Sequence, residues 1–227
     1  MAEAIGLLDR AIELDPGFAL TLALSGYIRA WAVASGGVDD VEKARRLALD
    51  LGQRALRAGG DDPEVMTRVA GAIGLAGGDG EAARVLIERS LAVNPGAAFT
   101  WIIAGFDETY RGRPEEAIRA FETHGRLDPR SPDTIHRLSG MGWALFELGR
   151  YAEAVACLRE SLSLNAGNFG PQPPLVASLA HLGRVDEAKA ALAGIPRGAM
   201  DGLVGLLRHP EQGDRLRAGL RMAGADV

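Results

Sequence analysis

A spacing of 34 residues recurs along the chain, and it constrains the fold more than any other feature of the sequence. Asn94 and Asp128, each followed by proline, lie 34 residues apart, and so do Gly149 and Gly183, each followed by arginine. Periods of about 20 to 50 residues are typical of proteins in which similar supersecondary elements stack on one another. The sequence therefore predicts a repeat array, in which each repeat buries its apolar face against its neighbours.

One period has the residue pattern of two helices joined by a glycine turn. Small and large side chains recur at helical spacing and a proline follows the second helix, at Trp101, Gly105, Ala117, Phe121 and Pro129. Small residues let two helices approach closely, aromatic residues fill the space between repeats, and proline prevents the helix from continuing. This pattern resembles the tetratricopeptide repeat (TPR), although Ala104, Glu108 and His124 replace the family's Leu, Tyr and Ala. The resemblance implies an all-α TPR superhelix, an α-solenoid of antiparallel helix pairs.

Other segments fit the same repeat when short insertions are allowed. We expect residues 1–16 to form the second helix of a truncated repeat, residues 17–196 an array of about five repeats, and residues 197–227 a C-terminal helical cap. An insertion near residues 34–42 either extends a helix or forms a loop. The helix after residue 170 is expected to begin at or after its prolines, and the cap is expected to direct its arginines to solvent. These residues are Pro171, Pro173 and Pro174, and Arg208, Arg215, Arg217 and Arg221.

The first residues match only half a repeat, so the sequence is expected to begin in mid-repeat, as a fragment of a longer protein or with a mis-set start. A second helix without its partner would expose an apolar stripe, and such stripes favour association. The stripe consists of Leu7, Leu8 and Ile12. One interpretation of the chain is therefore a self-association module that forms a homodimer through these residues.

Charge, apolar runs and cysteine usage argue against several classes of function. The net charge is -5 and the basic residues are scattered along the chain, which disfavours a nucleic-acid partner. No apolar run approaches the roughly 18 residues needed to cross a membrane. The single cysteine, Cys157, has no partner for an internal disulfide or for a cysteine-based metal site. We therefore expect a cytoplasmic protein with no nucleic-acid or membrane partner.

The sequence has no pattern typical of a catalytic, cofactor or metal site. The four histidines are widely separated, and none has a second ligand residue at metal-binding spacing. Paired acids stand at predicted helix starts, where they complement the positive end of the helix dipole. The glycine-rich segment 77–80 lacks the Lys and Ser or Thr of a phosphate loop. We therefore predict a non-catalytic protein that holds no metal and no cofactor.

Aromatic residues concentrate on the predicted first helix of each repeat. In the TPR family the first helices line a concave groove, so the resemblance implies a peptide-binding role for the residues at the inward positions. These residues are Tyr27, Trp31, Phe99, Ile102, Phe106, Tyr110, His136, Trp143 and Phe146. Aromatic anchors are typical of protein interfaces. Two alternatives stay open, because helix packing would bury the same side chains, and a terminal helix would fill the same groove.

The resemblance implies a protein-interaction scaffold that binds a helix or an extended peptide. It does not extend to the carboxylate clamp of chaperone-binding members, because Arg68 is the one suitable groove residue. A second resemblance, carried by Leu-Asp-Pro joints and by residues 219–224, is to the C-terminal TPR region of bacterial class III adenylate cyclases and related regulators. It implies that the chain is the regulatory part of a larger bacterial signalling protein, in which a cyclase or DNA-binding domain precedes the repeats.

Overall fold

The computed structural model describes residues 1–195 and 206–226, and these residues contain twelve α-helices and no strand. The all-α prediction is therefore confirmed. Residues 196–205, which include the first part of the expected cap, and residue 227 lie outside the described residues. The helices are α1 (Ala2–Leu14), α2 (Ala19–Ala34), α3 (Val41–Gly59), α4 (Pro63–Leu75), α5 (Gly80–Val93), α6 (Ala98–Tyr110), α7 (Pro114–Leu127), α8 (Thr134–Glu147), α9 (Tyr151–Leu164), α10 (Gln172–His181), α11 (Val185–Leu192) and α12 (Pro210–Met222).

The chain divides into two compact units, Met1–Ile103 (unit 1) and Ala104–Val227 (unit 2). Within the units, helices follow one another as pairs joined by short turns, and short turns make neighbouring helices antiparallel. We call α2, α4, α6, α8 and α10 the first helices, and α3, α5, α7, α9 and α11 the second helices. First helices pack on their own second helices and, in unit 1, α2 also packs on α4.

A glycine with left-handed backbone geometry follows every first helix. The five residues have φ between 69° and 74°, a region that costs other L-residues roughly 1–2 kcal/mol, and they are Gly36, Gly77, Gly112, Gly149 and Gly183. The next N–H donates back to a carbonyl inside the helix, as from Arg150 to Leu145 at 2.9 Å. The recurring glycine of the sequence is therefore the residue that reverses the chain within each pair.

Two local expectations are decided by the helix ends. The insertion near residues 34–42 forms a loop, because α2 ends at Ala34 and α3 begins at Val41. Helix α10 begins at Gln172, between the prolines rather than after all of them. Pro173 and Pro174 occupy its first turn, where a missing N–H removes no intrahelical hydrogen bond.

Close helix contacts in unit 2 depend on glycines that face a buried ring. Phe121 of α7 is fully buried. A Cβ atom at Gly105 of α6 would lie 2.5 Å from this ring, and one at Gly140 of α8 would lie closer still. Gly105 and Phe121 therefore have the packing roles that the repeat pattern predicts, and α6, α7 and α8 meet around one aromatic side chain.

A buried hydroxyl cluster joins three helices of unit 1. Thr67 Oγ1 lies 2.8 Å from Ser90 Oγ, 2.8 Å from Thr100 Oγ1 and 2.8 Å from the carbonyl of Pro63. Ser90 Oγ also donates to the Pro63 carbonyl at 2.8 Å. Buried polar groups need such partners because an unpaired one is costly. The cluster fixes how α4, α5 and the first part of α6 pack together.

Candidate functional site

The predicted groove residues of unit 1 lie on α2 and on residues 98–103 of α6. Tyr27, Trp31 and Phe99 are half-buried, whereas Ile102 is fully buried. The rings of Tyr27 and Phe99 meet edge to face with their centroids 5.9 Å apart. We call the surface formed by these residues and the adjoining α4 the first-helix face of unit 1.

Arg68 of α4 completes an aromatic–arginine cluster on this face. Its guanidinium carbon lies 4.2 Å from the Phe99 ring centroid and 5.9 Å from that of Tyr27, within cation–π range. Arg68 also donates to Glu64 at 3.3 Å. Tyr27 lies against Gly71, where a Cβ atom would approach its ring to 2.7 Å. Gly71 therefore packs against the ring of Tyr27, and the guanidinium of Arg68 packs against the rings of Tyr27 and Phe99.

The predicted groove residues of unit 2 have unequal exposure. Phe106 and Tyr110 are half-buried and stack with centroids 6.1 Å apart. Trp143 is buried and its indole N–H donates to the Gly170 carbonyl at 3.0 Å, while Phe146 is fully buried. Ile102, Trp143 and Phe146 therefore pack inside the units and do not lie on an accessible surface.

His136, the remaining predicted groove residue, is half-buried near the start of α8. Burial lowers the pKa of its imidazole, and the negative charge of Asp133 partly opposes this shift. The imidazole is therefore favoured in its neutral form, which offers one donor and one acceptor to a ligand.

In unit 2 the C-terminal segment lies across the ends of α6, α8 and α10, and we call the surface formed by these ends and by α10 the first-helix face of unit 2. The backbone N–H of Arg208 donates to the carbonyl of Tyr110 at 3.0 Å, and the guanidinium of Arg215 donates to the carbonyl of Glu147. His181 Nε2 lies 3.4 Å from the carbonyl of Arg215. Tyr110, Glu147 and His181 are the last residues of α6, α8 and α10, so the segment contacts the same position in three consecutive first helices.

Ion pairs strengthen this contact, because acidic side chains stand near two of the helix ends. Arg208 donates to Asp107 at 3.0 Å, and Asp107 also accepts from Arg111 at 2.7 Å. Arg215 lies 3.3 Å from the carboxylate of Glu147. Of the four arginines expected to face solvent, Arg208 and Arg215 bind the helix ends, with 40% of the Arg215 side chain still exposed, whereas Arg217 is half-buried and Arg221 is exposed. The helix ends carry partial negative charge as well, which explains why basic side chains point inward.

Burial dominates the titration of the acid at the end of α8. The Glu147 side chain is only 5% exposed, and desolvation raises its pKa to about 7, with the charge of Arg215 opposing the shift. Ionising this carboxyl near neutral pH therefore depends on a cation close to it.

The apolar stripe of α12 covers the outer side of α10. Every residue of α10 from Pro173 to Ala180 is buried. A Cβ atom at Gly219 would lie 2.6 Å from that of Ala177, so the two helices cross at van der Waals contact. The buried positions of α12 recur every three or four residues, at Gln212, Gly213, Leu216, Gly219 and Leu220. This stripe is visible in the sequence, although the arginines of the same segment favour a solvent-facing cap.

Gln212 adds a buried polar contact to this interface. Its side-chain amide donates to the carbonyl of Thr109 at 2.8 Å, one residue before the end of α6. The C-terminal segment therefore contacts the ends of α6 and α8 and packs on α10, and coverage of the predicted groove by a terminal helix stays a prediction. Of the predicted groove residues of unit 2, Trp143 and Phe146 are buried, whereas Phe106, Tyr110 and His136 are half-buried like the aromatic residues of unit 1.

The N-terminal helix α1 packs on α2 and contains no buried residue. Leu7 is 67% exposed, whereas Leu8 and Ile12 are half-buried. Asp9 of α1 forms an ion pair with Arg29 of α2. The predicted self-association stripe is therefore partly covered by α2, with Leu7 as its most accessible member.

The described residues contain no group of three or more His, Cys, Asp or Glu side chains that could hold a metal ion. His124 of α7 is fully buried and its two ring nitrogens have no hydrogen-bond partner. Burial and the charge of Arg137 lower its pKa, with Asp133 and Asp128 opposing, so the ring packs as a neutral group. Burial likewise raises the pKa of the Cys157 thiol. Across residues 1–195 and 206–226, no helix combines the length and apolar character needed to span a bilayer.

Comparison with known proteins supports the tetratricopeptide repeat. The family model described as tetratricopeptide repeat matches residues 137–168, which run from α8 to just beyond α9. No curated protein matches the sequence.

Several solved structures share the fold of the chain. A thermophilic TPR protein from Thermus thermophilus is similar with a TM-score of 0.61 at 21% identity, over 88% of this chain and 97% of that one. A TPR protein from Parabacteroides merdae gives a TM-score of 0.58 at 14% identity, over 99% and 87% of the chains. PilF of Pseudomonas aeruginosa gives a TM-score of 0.55 at 15% identity, over 84% and 88%. These likenesses show that the helix pairs have the arrangement of TPR proteins, a fold that generally serves as a protein-interaction scaffold and is typically non-catalytic.

Proposed function

We propose that the chain is a non-catalytic protein-interaction scaffold, whose first-helix faces bind a helix or an extended peptide of another protein. The observation that carries the proposal is the α12 contact of unit 2, in which the ends of the first helices bind a helix through buried hydrogen bonds and ion pairs. The first-helix face of unit 1, which is formed by the sides of α2, α4 and α6, has the half-buried aromatic side chains of Tyr27, Trp31 and Phe99. The chain thus has one face that binds its own helix and one that offers anchors for a partner.

Partner binding in unit 1 would depend on Tyr27, Trp31 and Phe99. Rigid aromatic side chains lose little conformational entropy on binding and are enriched among interface hot spots. Arg68 stacks on Phe99, so a partner that covers the rings would also cover a guanidinium already held in position. A partner peptide in which an apolar side chain is followed by a carboxylate would match this combination of aromatic rings and a guanidinium.

Selection from a displayed library of random peptides, with the purified chain as bait, tests this proposal. We expect the selected peptides to lose at least tenfold in affinity for Tyr27→Ala and Phe99→Ala, because hot-spot truncation typically costs more than about 1–2 kcal/mol. Phe18→Ala is the matched control, since Phe18 is 54% exposed but precedes α2. Equal affinity for all variants, or no selected peptide at all, would contradict the proposal, and melting temperatures would identify misfolded variants.

Self-association through α1 is the second candidate, and the exposure of Leu7 supports it. Light scattering of the purified chain is expected to give twice the chain mass if Leu7, Leu8 and Ile12 pair with a second copy. Leu7→Asp would then return the monomer, and Leu8→Asp would act more weakly because Leu8 is half-buried. A wild-type monomer at high micromolar concentration would end this alternative.

We further propose a cytoplasmic, bacterial setting in which the chain is the regulatory part of a larger signalling protein. This proposal is supported by the resemblance of the Leu-Asp-Pro joints and residues 219–224 to regulators of the cyclase type. The reading frame upstream of Met1 tests it. A cyclase or DNA-binding domain encoded in frame would support the setting, and an unrelated intergenic sequence would refute it.

A further inference from the structure

We propose that α12 is a built-in competitor on the first-helix face of unit 2, and that the partner for this face is a basic helix with the residue pattern of α12. The pattern is an arginine, a glutamine four residues later, an arginine three residues after that, and a leucine–glycine stripe, as in Arg208, Gln212, Arg215, Leu216 and Gly219. The inference rests on the proposed function and deepens it by naming the chemistry of one partner.

The ends of the first helices determine which donors a partner must bring. The last four carbonyls of a helix have no intrahelical partner and require donors from elsewhere. Here the Arg208 N–H, the Gln212 amide and the Arg215 guanidinium reach carbonyls at the ends of α6 and α8. Arg208 lies just before α12, and Arg215 lies on it, seven residues further along the chain. A helix without a donor at the position of Arg215 would cover the Glu147 carbonyl and remove the donor that it has in this structure.

The acids of the face determine the charge of the partner. Asp107 and Glu147 have side chains that are 7% and 5% exposed, and each pairs with an arginine of the C-terminal segment. Replacing this segment by a neutral helix would leave Asp107 with its Arg111 pair and would favour the protonated form of Glu147, and an acidic helix would add like charge beside both acids. The face therefore selects a basic helix, although the whole chain carries a net charge of -5.

The crossing with α10 determines the size of the residue at one position. Gly219 lies against Ala177 so closely that even a methyl group would collide with it. Leu216 and Leu220 are buried on the two sides of this crossing. A partner helix therefore needs glycine between two apolar residues, which distinguishes it from basic helices in general.

Competition follows because α12 and the partner would use the same acceptors. A tethered segment is present at an effective concentration of about millimolar, so a free helix with equal contacts would compete poorly against it. Loosening α12 would expose the face and raise the affinity for a free helix. The contacts that hold α12 are hydrogen bonds of modest net strength and the burial of Leu216 and Leu220 in the core of unit 2, and a free helix with the same residues would restore both.

Binding of a fluorescein-labelled peptide of residues 206–226 to the full chain tests the inference. Gly219→Leu should displace α12 because the new side chain collides with Ala177, and the variant should bind the peptide at least tenfold more tightly than the wild type does. Ala218→Leu is the matched control, since Ala218 is the exposed neighbour on α12 and the variant should bind like the wild type. A peptide that itself carries Gly219→Leu should bind none of the chains.

A second variant covers the case in which Gly219→Leu fails to fold. Gln212→Ala combined with Arg215→Ala removes two anchors without adding bulk, and it should also bind the peptide more tightly than the wild type. In addition, the peptide should raise the melting temperature of either variant more than that of the wild type, because a ligand stabilises the folded state that it binds.

Three results would overturn the inference. Equal peptide affinity for the wild type and both folded variants would show that α12 does not compete. Unchanged binding to a variant that also carries Glu147→Arg would place the peptide on another surface. A concentration-dependent dimer that exchanges α12 would make a second copy the occupant.

If library peptides bind unit 1 while the 206–226 peptide binds no variant, the inference fails and the proposed function stands, whereas failure of both sets of peptides would remove the proposed function as well.

Discussion

The guanidinium of Arg215 donates a hydrogen bond to the carbonyl of Glu147 and lies 3.3 Å from the carboxylate of the same residue. One side chain of α12 therefore contacts both the end of α8 and one oxygen of the acid at that end, while the other oxygen, Oε1, is buried without a hydrogen-bond partner among the described residues. Because the contact is nearly buried on the acid's side, the protonation of Glu147 is coupled to the folding of unit 2. This coupling leads to the first prediction.

The contribution of Glu147 to the free energy of unfolding is expected to fall as the pH rises from about 4.5 to 7. The pKa of Glu147 in the folded chain is raised to about 7 by burial, so between its ordinary value of 4.5 and 7 the folded chain holds a proton that the unfolded chain has released. The stabilising effect is complete below pH 4.5 and is lost by about pH 7. Glu147→Gln should flatten this dependence by on the order of 1–3 kcal/mol.

Chemical denaturation of the wild type and Glu147→Gln at pH 4.5 and pH 8 measures this effect. His124 and His136 have lowered pKa values and give the opposite slope below pH 6.5, but they are shared by both proteins and cancel in the comparison. The carboxyl of Glu187, whose pKa is lowered to about 2 by Arg184 and Arg159, titrates below this range. Parallel pH profiles for the two proteins would show that Glu147 titrates normally.

Gly140→Ala is expected to destabilise the chain by about 1–3 kcal/mol, because the added methyl group collides with the ring of Phe121. Gly74→Ala is the matched control on another helix. A Cβ atom there meets nothing within 4 Å, so this substitution should be neutral or stabilise the chain by up to about 1 kcal/mol. Phe121→Leu should recover part of the loss in Gly140→Ala, and equal melting temperatures for the two alanine variants would contradict the prediction.

Thr67→Val is expected to cost about 1–3 kcal/mol, since it removes the hydroxyl at the centre of the buried cluster and leaves Ser90 and Thr100 with fewer partners. Thr123→Val provides the comparison, because Thr123 Oγ1 donates to a helix carbonyl in the same way but lies near the surface. We expect a change of less than about 0.5 kcal/mol there. Urea denaturation of both variants measures the difference, and similar losses would mean that burial of the cluster contributes little.

Trp143→Ala is expected to lower the free energy of unfolding by about 3–5 kcal/mol, because it empties a buried site and leaves the Gly170 carbonyl without its indole donor. Trp101→Ala should cost clearly less, as Trp101 is half-buried and donates to Pro95 near the surface. Thermal unfolding followed by circular dichroism distinguishes the two. A small loss for Trp143→Ala would indicate that this ring belongs to an accessible binding surface after all.

Local features of the fold follow well from the sequence. The turn glycines and the pairing of Gly105 with Phe121 depend on steric rules that act over one repeat, so their spacing predicts them. Exposure of the groove aromatics could not be predicted in the same way. An aromatic residue on the inward side of a helix has the same periodicity whether it packs on a neighbour, as Trp143 does, or stays partly accessible, as Phe106 does.

The packing surface of α12 could not be predicted from the sequence for a different physical reason. Arginines such as Arg208 and Arg215 are usually exposed, and their inward orientation depends on Asp107 and Glu147, which lie 101 and 68 residues away in the sequence. The stripe of Gln212, Leu216 and Gly219 predicts that α12 packs on something, but a single helix pattern does not identify the surface on which it packs.

Arg208 and Arg215 lie seven residues apart and contact the ends of two successive first helices, α6 and α8. Because α12 begins at Pro210, the helix sets the direction of Arg215 but not that of Arg208, and the Arg215 carbonyl also lies at the end of α10. Moving the charge of Arg215 by a single residue would turn it by about 100° and away from Glu147. The rotational phase of a helix bound at this position is therefore restricted as strictly as its charge.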